Sequence, residues 1–166
     1  MSTLKWSQAL SVDCLEMDTT HREFVDLLAV VEAAADAQLL QAWSTLLSHT
    51  EQHFAQEDAW MRSAGFAAKN CHSGQHEVVL QVMREVQRQA QSGQIEPIRQ
   101  LSYELAHWFP QHAQHMDGAL ASHLQDIGFD TVRGSLPDSK RLPEQEIRGC
   151  GGASCTPQHE AHSTSA

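Results

Sequence analysis

The stretch "HTEQHFAQEDAWM", residues 49–61, sets His49, His53 and Glu57 four residues apart. On a helix, positions at that spacing stand one turn above each other on nearly the same side. The flanking apolar residues Leu39, Trp43, Leu46, Leu47, Phe54 and Met61 keep the same period, so the spacing predicts a helix over 39–63 that ends at Gly65. One face of this helix carries two imidazoles and a carboxylate.

Three further helices follow from the same periodicity. Phe24, Leu27, Leu28 and Val31 mark one over 19–37, with Asp18 as a candidate N-cap. Val79, Val82, Met83 and Val86 mark another over 69–91, with Gly74 weakening its first turns. The last starts near Glu96 and Pro97 and carries Ile98, Leu101, Leu105 and Trp108 towards His112, where Pro110 is expected to kink or loosen it. No β-period alternation competes, and the links are short. The fold class is therefore all-α, an antiparallel up-down-up-down four-helix bundle over 1–130. Residues 131–166 are expected to form a flexible tail, since prolines and four of the nine glycines crowd the last thirty-seven residues with little aliphatic periodicity.

A chain of 166 residues accommodates one domain with a core. Its formal charge of -10 argues against a nucleic-acid partner. No apolar run has the length of a membrane span or signal segment, and four cysteines do not make a secreted scaffold, so a soluble cytoplasmic protein is expected.

Eleven histidines are roughly three times what an average composition supplies. Each predicted helix offers candidates: His21; His49, His53 and Glu57; His72 and His76; and His107, His112, His115 and Asp117. Turned inward without a cation, the carboxylates would be desolvated at a cost of several kcal/mol, so either they face water or a metal sits there. Imidazoles with carboxylates and no thiolate suit iron, manganese or zinc better than copper(I). A ferritin-like centre needs two Glu-x-x-His motifs, and only Glu104 with His107 fits one.

In order, Trp6, "DTTH" (Asp18, His21), "HFAQE" (His53, Glu57), "HSGQH" (His72, His76) and "WFPQHAQHMD" (Trp108, His112, Asp117) fill the pattern of the bacterial hemerythrins, which the chain resembles over residues 6–130. The resemblance implies that His72, His76 and His112 hold one iron and His21 and His53 the other. Glu57 and Asp117 would bridge both beside an oxo or hydroxo group, with no haem. Spacing alone would not select Asp117, because five residues span about 140° of an ideal helix.

The resemblance also implies an open position on the second iron that binds dioxygen reversibly, for storage, transport or delivery. Trp108 and Phe109, with Leu27 or Leu28, are candidates for its apolar wall. The protein is expected to bind rather than catalyse. An oxygen or redox sensor would carry a fused signalling domain, and a repair-type di-iron enzyme an additional N-terminal domain. The alternative of a di-iron enzyme acting on peroxide or nitric oxide ranks below. No protein partner can be named.

His49, His107, His115 and His123 take no ligand role. Thr20, Asp58 and Cys14 depart from the family pattern at positions that are not ligands. Cys71, beside His72, reads as a buried, inert thiol. In the tail, Cys150, Cys155, His159 and His162 fall within thirteen residues and can satisfy a tetrahedral ion or form a redox motif; the favoured reading is a linker with accidental ligands.

Overall fold

The computed structural model describes residues 3–149. Four helical rods form the bundle: α1 (Leu15–Ala33), α2 (Asp36–Ser63), α3 (Cys71–Gln91), and a fourth built from α4 (Glu96–His112), a π turn (Ala113–Asp117) and α5 (Gly118–Ile127). Each rod packs on the next, and the first also packs on α4, closing the ring. This is the expected all-α four-helix bundle. No helix among the described residues is long and apolar enough to cross a membrane.

Several boundaries differ from expectation for identifiable reasons. Helix α1 starts at Leu15 because Cys14 supplies the extended N-cap backbone. Asp18 is not a cap: already inside the first turn, its carboxylate accepts from Ser11 Oγ at 2.5 Å and from Val12 N at 2.8 Å, tying the preceding loop to the helix. Helix α1 ends at Ala33, before the expected residue 37, since Ala34 and Ala35 are extended. The Arg99 guanidinium donates to the Ala34 carbonyl at 3.2 Å and also reaches Asp36, holding that two-residue link against α4.

Helix α3 starts on a reciprocal cap. Asn70 Oδ1 accepts from Ser73 N at 2.9 Å, and Ser73 Oγ accepts from Asn70 N at 3.1 Å. These bonds offset the low helix propensity of Gly74. Pro110 does not end α4, which runs two residues further; the loosening follows in the π turn. Gly128 closes α5 in the left-handed region at φ 72°, where a side chain is disfavoured.

The core has two apolar parts. One gathers Phe24, Leu28, Trp43, Leu46, Met83, Ile98 and Phe109. The other, at the opposite end, gathers Met17, Trp60, Met61, Phe66, Leu120 and Leu124. Between them along the rods fall His21, His53, Glu57 and Asp117, all buried.

Residues 131–149 correct the expectation of a flexible tail over that stretch. Phe66 and Ile147 form a parallel bridge, Thr131 Oγ1 donates to Glu16 at 2.8 Å, and Leu136 and Ile147 pack on the second apolar cluster. Two apolar side chains and a few backbone bonds suffice to dock a strap whose composition looked like a linker. Cys150, Cys155, His159 and His162 lie outside the described residues.

Candidate metal centre

Helical spacing brings His53 under Glu57 on α2 and His72 under His76 on α3. His21 comes from α1 and His112 from the end of α4. Asp117 is the last residue of the π turn. A π turn closes on residues five apart, so it returns Asp117 to the side of His112 that an α-helix would have turned it from.

All seven side chains are buried, with relative exposures of 0–3%. Their ligand atoms converge in two groups: Glu57, His72, His76, His112 and Asp117 form one, and His21, His53, Glu57 and Asp117 the other. The carboxylates belong to both and divide their oxygens between them. Glu57 Oε1 lies 2.9 Å from His53 Nε2 and 3.8 Å from His21 Nε2, while Oε2 lies 3.3 Å from His76 Nε2 and 3.7 Å from His72 Nε2. Asp117 Oδ2 lies 3.1 Å from His21 Nε2, and Oδ1 lies 3.0 Å from His72 Nε2 and 3.2 Å from His112 Nε2.

Among these contacts only that of His53 Nε2 with Glu57 Oε1 is a hydrogen bond; most of the others leave their atoms unsatisfied. Both Asp117 oxygens, Glu57 Oε2 and the Nε2 atoms of His21 and His72 are buried without a hydrogen-bond partner. Leaving so many polar atoms unsatisfied is costly, whereas a cation at the convergence points would satisfy them together. Five imidazoles and two carboxylates suit a first-row transition metal, and the donor set fits iron.

Two of the five outward ring nitrogens are held as well, whereas Nδ1 of His21, His53 and His72 is buried without a hydrogen-bond partner. His76 Nδ1 donates to Asp58 Oδ1 at 3.0 Å and His112 Nδ1 to Gln75 Oε1 at 3.1 Å, which fixes both Nε2 atoms inward. Sequence reasoning missed these two roles. The adjacency of Asp58 to Glu57 was the only signal for the first, and nothing marked Gln75. Phe54 stacks on His76 with centroids 3.9 Å apart, and Trp108 on His112 at 4.5 Å.

Of the wall candidates, Phe109 meets His21 edge-on at 5.2 Å and is stacked by Phe24 at 4.4 Å. Leu28 is buried in the same apolar cluster, whereas half-buried Leu27 lines a surface depression with Gln41 and His49. Trp108 stands with the three-imidazole group. Among the remaining histidines, His49 pairs with Glu23 at 3.1 Å, and His107, His115 and His123 lie against backbone carbonyls of Tyr103, Gln111 and Ala64. Cys71 is exposed, correcting the expectation of a buried thiol: its place on the first turn of α3 faces solvent while its neighbour His72 turns inward.

Without metal, the cluster compensates its carboxylates with protons. Burial lowers the pKa of His21, but the carboxylates of Asp117 and Glu57 prevail and raise it to about 9. His76 is likewise lowered by burial and raised to about 9 by Asp58 and Glu57. Burial works against ionisation of Glu57 and Asp117, yet the surrounding imidazoles hold both carboxyls below their ordinary range. His112 is pushed down, by burial first and by the neighbouring His72.

The sign of the pH dependence follows. In the metal-free chain, protonated His21 and His76 stabilise the fold fully below pH 6.5, and that contribution is lost as pH rises through about 9. A metal ion takes the same Nε2 atoms, so its uptake releases protons, and apparent affinity is expected to rise from neutrality to pH about 9 and then level off. Metal titration in weak buffer with a pH indicator measures this. A pH-independent affinity across that interval would contradict it.

The profile of the family described as "Hemerythrin HHE cation binding domain" matches residues 15–124. A "Bacteriohemerythrin" of Ralstonia nicotianae is 38% identical over 130 residues, covering 78% of this chain and 95% of the relative. Proteins of the same name from Stenotrophomonas maltophilia, 25% identical over 75% of this chain and 84% of theirs, and Pseudomonas paraeruginosa, 24% identical over 83% and 87%, are similar too. No solved structure matches the chain. A bundle that aims five imidazoles and two shared carboxylates at its centre, matched by that profile over most of its helices, belongs to the hemerythrin HHE cation-binding family.

Proposed function

We propose that this chain holds two iron ions bridged by Glu57, Asp117 and an oxo or hydroxo group, and that it binds dioxygen reversibly rather than catalysing a reaction. The observation that carries the proposal is the unequal sharing of imidazoles. With both carboxylates and the bridge counted, the group of His72, His76 and His112 completes six ligands, while that of His21 and His53 reaches five. Iron held by these residues would supply an open coordination position and the two electrons that reversible capture of dioxygen requires.

The chain's own residues set the rest. Glu57 and Asp117 keep both groups at a fixed separation, and Asp58 and Gln75 orient His76 and His112 from outside. Phe109 and Phe24 cover the His21 side with apolar surface and, with Leu28, exclude water from the open position. Few protons then reach the site, which keeps capture reversible. Trp108 stacks on His112 and acts as a support for that ligand.

The test is an optical spectrum of anaerobically reduced protein of known iron content, before and after air is admitted and again after oxygen is removed. A visible charge-transfer band that appears with two irons per chain and vanishes on deoxygenation is the expected result. Irreversible oxidation at the first exposure would favour a redox sensor or enzyme, and two zinc ions without a spectrum would remove the oxygen proposal.

A further inference from the structure

The seven ligand side chains are only 0–3% exposed, so an ion reaches them past a side chain that moves. A surface cavity of about 380 Å³, where the end of α2 meets the start of α3, identifies that side chain. Asp58, Lys69, Gly74, His76, Glu77 and Arg84 are among its lining residues. The depressions lined by Val30 and Gln38, by Leu27 and His49, and by Val82 and Trp108 touch none of the seven ligands.

The His76 ring is the partition between this cavity and the centre. Its Nδ1 donates to Asp58 Oδ1 at 3.0 Å on the cavity side, and its Nε2 lies 3.3 Å from Glu57 Oε2 on the inner side. The Asp58 side chain keeps 28% of its surface exposed, so solvent reaches the carboxylate that holds the outer face of a buried ligand. Gly74, between His72 and His76 on α3, leaves room in the wall, where an added Cβ would meet nothing within 4 Å. Arg84 is balanced by Glu51 at 2.8 Å. Asp58 and Glu77 then favour entry of a cation, and Lys69 opposes it.

We propose that this cavity is the port through which a divalent transition-metal ion enters the buried centre, captured first by Asp58 and admitted by displacement of the His76 ring. A cation on the Asp58 carboxylate competes for the lone pairs that accept from His76 Nδ1 and repels that proton, which frees the ring to turn aside. Imidazole suits such ions better than a carboxylate does, so transfer from Asp58 to the inner ligands is favourable. Glu57 and Asp117 belong to both ligand groups and connect His21 and His53 to the same entrance. The proposal rests on the assignment of the seven side chains as metal ligands, and not on iron or dioxygen.

The test mixes the metal-free full chain with cobalt(II) in a stopped-flow instrument and follows the visible absorption of the bound ion. Release into excess chelator and equilibrium competition complete the measurement. Gly74→Leu fills the cavity from a position that ligates nothing; overpacking the path is expected to slow uptake and release alike by about tenfold or more, with affinity within about threefold of the parent. Gly74→Ala gives a similar gain in helix propensity without filling the space, so it is expected to slow them by about fivefold at most. Lys69→Gln is expected to speed uptake about two- to threefold, and Asp58→Asn to slow it about tenfold. Ser48→Leu, in the depression that holds His49, is expected to change neither rate. Unchanged uptake in Gly74→Leu, or equal slowing by Ser48→Leu, would overturn the port. Equal slowing by Gly74→Ala and Gly74→Leu would assign entry to fraying of α3 instead, and an Asp58→Asn defect confined to release would remove the capture step. A parent chain that binds no cobalt at equilibrium would refute the ligand assignment itself, an outcome distinct from a filled centre whose uptake ignores the cavity.

Discussion

Asp117→Ala is expected to reduce bound iron from the proposed two ions per chain to one or none, with metal affinity more than about 100-fold weaker. Loss of an outer partner alone typically weakens a site by about 10–100-fold, and Asp117 is an oxygen donor to both ligand groups. The substitution also strips His21 of its largest supporting carboxylate and leaves Glu57 as the one carboxylate in the group of His72, His76 and His112. Asp58→Asn provides the contrast. It removes the outward charge from His76 without removing a ligand, so it is expected to retain both irons at an affinity about 10–100-fold lower. Metal analysis after dialysis against graded chelator measures both, and circular dichroism verifies that each variant is folded. Two irons held with unchanged affinity by the Asp117 variant would refute the assignment of that ligand.

The π turn predicts opposite outcomes for two length changes of one residue. An alanine inserted after Gln114 rotates everything beyond it by about 100°. That turns Asp117 out of the cluster and Leu120, Leu124 and Ile127 off the second apolar core. At about 1.5–3 kcal/mol for each large apolar side chain no longer buried, the loss is comparable with the whole stability of an ordinary domain. The variant is expected to bind no metal and to melt far below the parent or not to fold. Deleting exposed His115, whose ring lies only against its own helix at Gln111 O, should do little. The wide turn becomes an ordinary α turn, His112 and the ligand aspartate fall four residues apart, and α5 keeps its register. Metal retention within about tenfold of the parent is expected. Thermal melts and iron analysis of the pair decide the matter; a deletion as damaging as the insertion would show that the π turn does more than absorb one residue.

Where spacing translates directly into direction, the ligands were legible. His53 with Glu57, and His72 with His76, sit four apart on regular helix, so they share a face in any fold that keeps the helices. The apolar period showed which faces meet, and therefore the bundle. Asp117 was reached only through resemblance, because its five-residue offset from His112 works solely in a π turn. The partners Asp58 and Gln75 depend on how α2, α3 and α4 are set against one another, which no single-helix pattern encodes.

The same distinction explains the corrections. Asp18 looks like a cap from its position before a periodic run, but the loop that folds back to its carboxylate through Ser11 and Val12 sets a different start. Residues 131–149 look like a linker by composition, and they dock because the far end of the bundle offers Gly65, Ala67 and Cys71 as backbone partners and an apolar surface for Leu136 and Ile147. The sequence by itself determined the four helices, the inward stripes and the chemical identity of the ligand set, since helical periodicity and residue chemistry are local. Only the tertiary structure decided how the carboxylate oxygens are shared between two groups, which imidazoles are oriented from outside, and that Cys71 meets the C-terminal strap. Those relations are distances between separate segments, and packing alone fixes them.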